Sequence, residues 1–144
     1  MNNKELLSEI LPDLVYIYNE RIEKYRSMLL ENKMAELDMK SIIERIIEES
    51  ILYRDQIIKR IGEPVNEKGK IYNMWQGIEP DDVFKEKKEF LDSLANEQLS
   101  LNNIYLSALS FDFAGNEDLR NILLVHQRGI DELYIHIRRF HDAQ

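Results

Sequence analysis

Four long stretches of this chain repeat apolar residues at alternating intervals of three and four. Because an α-helix turns once in about 3.6 residues, this spacing gathers the apolar side chains of each stretch on one face. Glycine and proline, with 5 and 3 residues among 144, seldom interrupt the stretches. The pattern predicts an all-α fold, a four-helix bundle, and the length fits a single domain over residues 1–144.

Helix-breaking and capping residues set the expected bounds of the helices. Pro12 suits a first helical turn but not a helix interior, so we expect residues 4–11 to form a short lead-in or a kinked turn, with the first helix beginning at Pro12. Gly62 is a natural stop for the second helix, and Pro80 suits the start of the third. Asn116 is the expected N-cap of the fourth helix. The expected helices span residues 12–31, about 36 to 61, 81 to about 110, and 117 onward.

The segment between the second and third helices, residues 62–81, is too long for a tight turn. It holds an aromatic cluster, and we expect a short helix there. A long crossover at this point distinguishes ferritin-like bundles from simple up-down-up-down bundles. The sequence therefore predicts a ferritin-like four-helix bundle. The cluster of Tyr72, Met74 and Trp75 either anchors the crossover to the bundle or forms a lid over a small-molecule ligand.

Polar residues interrupt the apolar faces near the middle of the predicted helices. Residues in the middle of one helix lie level with the middle of its neighbours whichever way those helices run. These groups are therefore expected to form one polar layer, whose hydrogen bonds fix the register of the helices. The expected layer consists of Tyr18, Tyr25, Ser50, Gln98 and His126.

The same layer holds the metal ligands in carboxylate-bridged di-metal bundles, which use a Glu from each of two helices and Glu-x-x-His from the other two. None of the three histidines here has a Glu three residues before it. The sequence therefore predicts no metal and no other cofactor. The alternative is an iron or manganese site in which acids beside the apolar faces turn inward, formed by Glu23, Glu49, Glu97 and His126.

Composition and charge exclude several classes of function. The chain has no cysteine, which excludes disulfides and thiolate sites and favours the reducing cytoplasm. A formal net charge of −8 opposes binding to nucleic acids and anionic membranes. No apolar run approaches the length of a membrane span or of a signal-peptide core. We expect neither nucleic acid nor membrane among the partners.

Two predicted helices carry a second line of apolar residues away from the bundle face. An exposed line of this kind marks an interface, and the crossover is too short to cover both lines. We therefore expect a symmetric homodimer that buries the remainder. The two lines are Ile47, Ile51 and Ile58 in the second helix, and Ala95, Leu99 and Leu106 in the third.

Several short motifs together resemble a known family. They are Ile22-Glu23-Lys24-Tyr25, Arg60-Ile61-Gly62-Glu63-Pro64, the connector from Gly69 to Trp75, and Glu97-Gln98 followed by Tyr105. Their order and spacing are similar to a ferritin-like family of bacterial proteins catalogued as domain of unknown function 2383. The resemblance covers almost the whole chain and implies a four-helix bundle with a ferritin-like crossover, but no established reaction. Family members tend to carry an acid near the position of Gln98, so its replacement lowers the prospect of metal chemistry.

We therefore expect a non-catalytic protein with a structural or binding role. No glycine-rich phosphate loop and no nucleophile–base pattern indicates catalysis. One alternative is a di-metal oxidase or iron-handling protein. The other is a small-molecule binder that uses the crossover as a lid.

Overall fold

The computed structural model describes residues 3–30, 37–61, 69, 71–75, 77, 87–113 and 115–144. These residues form four α-helices and one turn of 3₁₀ helix, with no strand among them. The helices are α1 (Asn3–Leu30), α2 (Leu37–Ile61), α3 (Lys87–Leu109) and α4 (Glu117–Asp142), and the 3₁₀ turn is Tyr72–Met74. The expected all-α architecture of four helices is confirmed. No helix in the described ranges is long and apolar enough to cross a membrane.

Helix α1 begins at Asn3 and continues through Pro12, so the expected lead-in or kinked turn over residues 4–11, with a helix start at Pro12, is wrong. A proline inside a helix removes a backbone hydrogen bond and costs about 3 kcal/mol. The residues on both sides of it, Ile10, Leu11 and Leu14, are buried in the core. Burying each such side chain contributes about 1.5–3 kcal/mol, which offsets the cost and keeps the helix continuous.

Four helix pairs run antiparallel, because in the bonded pairs below side chains later in one helix meet side chains earlier in the other. It follows that α1 is parallel to α4 and that α2 is parallel to α3. The bonded pairs are Asn19–Arg54 and Arg21–Ser50 (α1 and α2), Tyr18–Tyr105 and Arg21–Gln98 (α1 and α3), Gln56–His126 and Arg60–Asp118 (α2 and α4), and Asp92–Arg138 and Tyr105–His126 (α3 and α4).

The end of α2 and the start of α3 lie at opposite ends of α4. Arg60, next to the last residue of α2, donates to Oδ2 of Asp118 at 2.5 Å and to Oδ1 of Asn116 at 2.6 Å. Lys87, the first residue of α3, places its Nζ 4.6 Å from the ring centroid of Phe140, near the end of α4. The chain between α2 and α3 therefore connects opposite ends of the bundle.

Asn116 stands immediately before α4, where an N-cap was expected, but its side chain makes no capping hydrogen bond. Its carboxamide oxygen accepts from Arg60 instead, which ties the start of α4 to the end of α2. Glu117 and Asp118 place negative charge in the first turn, which stabilises the positive end of the helix. The expected start of the third helix after Pro80 and the expected end of the first at residue 31 lie outside the described residues.

The apolar core consists of two clusters, one on each side of the middle of the bundle. On α1 the first cluster ends at Tyr18 and the second begins at Ile22, with Arg21 between them. On α3 the second cluster ends at Ala95 and the first begins at Leu101. The break between the clusters is where buried polar side chains meet.

The bundle itself covers most of the surplus apolar residues that were expected to form a dimer. Ile47 and Ala95 are buried in the core, and Ile51 packs against it. Leu99 and Leu106 on α3 remain exposed. The exposed members of the two lines therefore both lie on α3.

Candidate functional site

A buried ion pair lies at the break between the two apolar clusters. Nε of Arg21 is 2.5 Å from Oε1 of Glu97, and Nη2 donates to Oε2 at 3.1 Å. Both side chains are 1% exposed. Burial alone would lower the pKa of Arg21, but Glu97 and nearby tyrosines together outweigh burial and raise this pKa above its ordinary value. The guanidinium therefore stays charged, with one hydrogen bond to Glu97 from Nη2 and a close ion-pair contact at Nε.

Polar side chains from two other helices complete the surroundings of Arg21. Nη2 also donates to Oε1 of Gln98 at 2.6 Å, and Nη1 donates to Oγ of Ser50 at 3.3 Å. Gln98 in turn donates from Nε2 to the backbone carbonyl of Ile130 on α4 at 3.1 Å, and Ser50 donates to the carbonyl of Ile46 at 2.6 Å. One guanidinium on α1 thus links all four helices.

The connector between α2 and α3 covers the ion pair from one side. The indole Nε1 of Trp75 donates to Oε1 of Glu97 at 3.3 Å, and the Trp75 side chain is only 8% exposed. The hydroxyl of Tyr72 donates to Oε2 of Glu20 at 2.5 Å. Met74, by contrast, is 52% exposed. Trp75 and Tyr72 are therefore bonded to the bundle, whereas Met74 faces outward.

The carboxylate of Asp13, buried on α1, holds the connector at a second point. Its Oδ1 accepts from the backbone N–H of Gly69 at 2.7 Å, and its Oδ2 accepts from the backbone N–H of Tyr72 at 3.0 Å. A β-carbon at position 69 would lie 2.7 Å from these oxygens, too close for a real contact. Glycine is therefore needed there for the backbone to reach Asp13.

A chain of hydrogen bonds runs from the interior to the surface, one helical turn from the ion pair. The hydroxyls of Tyr18 and Tyr105 are 2.7 Å apart, and the Tyr105 hydroxyl is 3.0 Å from Nδ1 of His126. Nε2 of His126 is 2.6 Å from Oε1 of the exposed Gln56. Because an amide oxygen only accepts, Nε2 carries the ring proton and Nδ1 accepts from Tyr105. Tyr105 in turn accepts from Tyr18.

Burial favours the neutral form of each titratable group along this path of hydrogen bonds. It lowers the pKa of His126 to about 4, so the imidazole is uncharged at neutral pH. Burial also raises the pKa of Tyr18 and Tyr105 above the ordinary value of a phenol. A weakly basic imidazole beside two protonated phenols offers no strong general base and no activated nucleophile.

The side chains expected to form one polar layer fall into separate networks. Ser50 and Gln98 contact Arg21, whereas Tyr18 and His126 both bond to Tyr105. The remaining hydroxyl, on Tyr25, makes no well-formed hydrogen bond in the described part of the chain, but burial and the nearby Glu97 carboxylate raise its pKa. All five expected residues are buried, and none is more than 2% exposed: Tyr18, Tyr25, Ser50, Gln98 and His126.

Arg21 is the principal site residue that sequence reasoning missed. It lies three residues after Tyr18 and four before Tyr25, so it falls on the same face as those two buried tyrosines. Its charge favoured a position on the surface of the protein, since arginine is seldom buried without a partner. An acid at a facing position, here Glu97, is the signal that could have identified it.

The residues of the alternative metal site do not come together. Glu23 is exposed, Glu97 is bonded to Arg21, and His126 belongs to the other network. Glu49 is half-buried, and burial raises its pKa, which disfavours the charged form that a metal needs. Among the described residues no three His, Asp or Glu side chains are grouped to hold a metal ion. The centre therefore does not fit a carboxylate-bridged di-metal group.

Fold and site together define an all-α protein of four helices with a guanidinium–carboxylate pair at its centre. No protein-family model matches the chain, and no curated protein or solved structure is significantly similar to it. The resemblance to a ferritin-like bacterial family stays a prediction.

Proposed function

We propose that this protein is a non-catalytic helical bundle with a structural or binding role. The observation that carries the proposal is the position of Arg21, in the middle of the bundle where di-metal proteins hold their cations. Its guanidinium neutralises the buried Glu97 carboxylate, as a metal ion would. Unlike a metal ion, it has no vacant coordination position and no redox chemistry. The centre therefore stabilises the helices rather than binding a substrate.

The contacts around Glu97 support this proposal because they leave little for a ligand to use. Arg21 approaches both carboxylate oxygens, and Trp75 donates to one of them. A ligand that entered would have to separate the ion pair, and separating a buried pair costs about 3–5 kcal/mol. Occupation by the protein's own side chains is the lower-energy state.

We further propose that the four helices have a ferritin-like arrangement. The contacts of Arg60 with Asp118 and of Lys87 with Phe140 support it, because they put the end of α2 and the start of α3 at opposite ends of α4. A connection between opposite ends must travel the length of the bundle, as the crossover of ferritin-like folds does. The sequence resemblance described above implies the same topology, and we propose membership of that family.

The geometry favours neither alternative function. A lid must move away from its site to admit a ligand, whereas Trp75 is hydrogen-bonded to the buried Glu97 and Tyr72 to Glu20. A metal site needs carboxylates free to face the ion, whereas Glu97 faces Arg21. The net charge of −8 and the absence of cysteine support a cytoplasmic protein without nucleic-acid partners.

Elemental analysis of protein purified without chelators tests the proposal. We expect no stoichiometric iron, manganese or zinc, and no rise in melting temperature when Fe²⁺ or Mn²⁺ is added, because a ligand that binds only the folded state would raise it. One or two bound equivalents that disappear in Glu97→Ala or His126→Ala would overturn the proposal. Glu44→Ala, at an exposed position of α2 and outside the alternative ligand set, is the matched control.

A further inference from the structure

The outward face of α3 carries no charge from residue 93 to its end. From residue 93 to residue 110 the only charged side chain is Glu97, which is buried. Leu99 and Leu106 on this face are 36% and 48% exposed. The face is about 25 Å long at 1.5 Å per residue. In a chain with 32% charged residues, so long an uncharged face with exposed leucines is typical of an interaction surface.

The residues of this face repeat at the spacing of a coiled-coil contact. Asn96, Leu99, Asn103 and Leu106 follow one another at steps of three, four and three, and all four are exposed. This is the alternation of the two contact positions of a heptad, with asparagine at one and leucine at the other. We call these four residues the Asn–Leu seam. It lies opposite the face of α3 that packs into the bundle.

We propose that the Asn–Leu seam binds the same seam of a second copy of this chain, with the two α3 helices parallel. In a parallel pair each asparagine faces its own counterpart, and each leucine faces a leucine. A carboxamide both donates and accepts, so Asn96 and Asn103 each satisfy their counterparts. An antiparallel pair would set asparagine against leucine and leave buried amides without partners, which costs about 1–3 kcal/mol for each.

Charge supports a second copy as the occupant of this face. Two molecules that each carry a net charge of −8 repel one another wherever charged surfaces meet. The Asn–Leu seam lets them approach without like charges in contact. Beside it lies a groove of about 270 Å³, lined by Met74, Ser100 and Ile104 together with seam residues, which has room for leucine side chains of the second copy.

The size of the seam indicates a weak dimer. A strip about 20 Å long and about 10 Å wide, the diameter of a helix, buries a few hundred Å² on each partner. The total falls at or below the roughly 1,000 Å² that separates stable from transient interfaces. We therefore expect a dissociation constant in the micromolar range, with monomers on dilution.

Single cysteines in this cysteine-free chain test the proposal directly. Asn96→Cys and Asn103→Cys, made separately, should each form a disulfide-linked dimer under a mild oxidant, because both positions face their counterparts in a parallel pair. Asn121→Cys, at an exposed position of α4, is the matched control and should remain monomeric. Equilibrium sedimentation of the wild type should show dimers at about 100 µM, and Leu106→Glu should be a monomer with unchanged helicity.

Three results would overturn the proposal. A monomer mass at about 100 µM together with cross-linking no greater than that of Asn121→Cys would exclude the dimer. Cross-linking at only one of the two seam positions would exclude the parallel arrangement. Loss of helicity in a monomeric Leu106→Glu would show that Leu106 is needed for the fold of the single chain rather than for a dimer. None of these results bears on the closed centre, because no seam residue bonds to the Arg21–Glu97 pair.

Discussion

The ring of Tyr53 on α2 stacks on the imidazole of His126 on α4, with ring centroids 4.0 Å apart and planes inclined by 14°. The Tyr53 hydroxyl lies over Gly129, where a β-carbon of any other residue would stand. Stacking on His126 fixes the tyrosine ring, so the hydroxyl has little freedom to move away. Glycine at position 129 is therefore what allows α2 and α4 to approach here.

Gly129→Ala is expected to destabilise the fold by about 1–3 kcal/mol, because the new methyl group forces Tyr53 off His126. In a helix without this contact the same change would stabilise the fold by about 1 kcal/mol. The sign of the change in unfolding free energy therefore shows whether the contact exists. In a Tyr53→Phe background the hydroxyl is gone, and Gly129→Ala should be close to neutral. Chemical denaturation of the four proteins measures both effects. An equal loss in both backgrounds would contradict this packing.

The acid sensitivity of the fold should depend on His126. Burial lowers its pKa to about 4 from 6.5, so between these values the unfolded state binds the proton more readily than the folded state. Stability should therefore fall as the pH decreases from about 6.5 to about 4, by about 3 kcal/mol for this group. The raised pKa of Glu49 acts in the opposite direction.

Denaturation midpoints of wild type and His126→Leu across this pH range isolate the histidine, because Glu49 is present in both proteins. The variant should remain helical and lose less stability on acidification. His136→Leu, at an exposed position of the same helix, is the matched control and should behave as the wild type. Parallel curves for wild type and His126→Leu would show that another group is responsible.

Two buried tyrosines provide a matched pair of hydroxyl deletions. The Tyr18 hydroxyl is bonded to Tyr105, whereas the Tyr25 hydroxyl makes no well-formed hydrogen bond in the part of the chain that the structure describes and only lies near the Glu97 carboxylate. Tyr18→Phe should cost about 1 kcal/mol, the net contribution of one hydrogen bond. Tyr25→Phe should cost less than Tyr18→Phe, because its buried hydroxyl is poorly satisfied and removing it loses no well-formed hydrogen bond. Equal costs in urea denaturation would argue against this difference.

Apolar spacing was sufficient to predict the four helices, because burial follows directly from which residues share a face. It failed at Pro12, where the burial of Ile10 and Leu11 outweighs the local preference of proline. Local signals describe one helix at a time. They carry no information on the packing energy that neighbouring helices add.

The candidate site was harder to predict because its contacts join different helices. A helical wheel identifies Tyr18 and His126 as inward-facing residues. It does not indicate that Tyr105 lies between them, since that depends on how far α3 and α4 are shifted along their axes. It also places Glu97 beside the apolar face, whereas Arg21 draws the carboxylate into the core. The burial of Arg21 can be explained only by the presence of Glu97, and that of Glu97 only by the presence of Arg21.

The coupling free energy between Arg21 and Glu97 tests the central claim most directly. In a double-mutant cycle with Arg21→Met and Glu97→Leu, each single change should destabilise by about 3–5 kcal/mol, because it leaves one buried charge unpaired. The double variant should recover much of that loss, since neither charge remains, and should regain helicity if a single variant unfolds. Additive losses would contradict the account, because the two side chains would then not form the pair that closes the centre of the bundle.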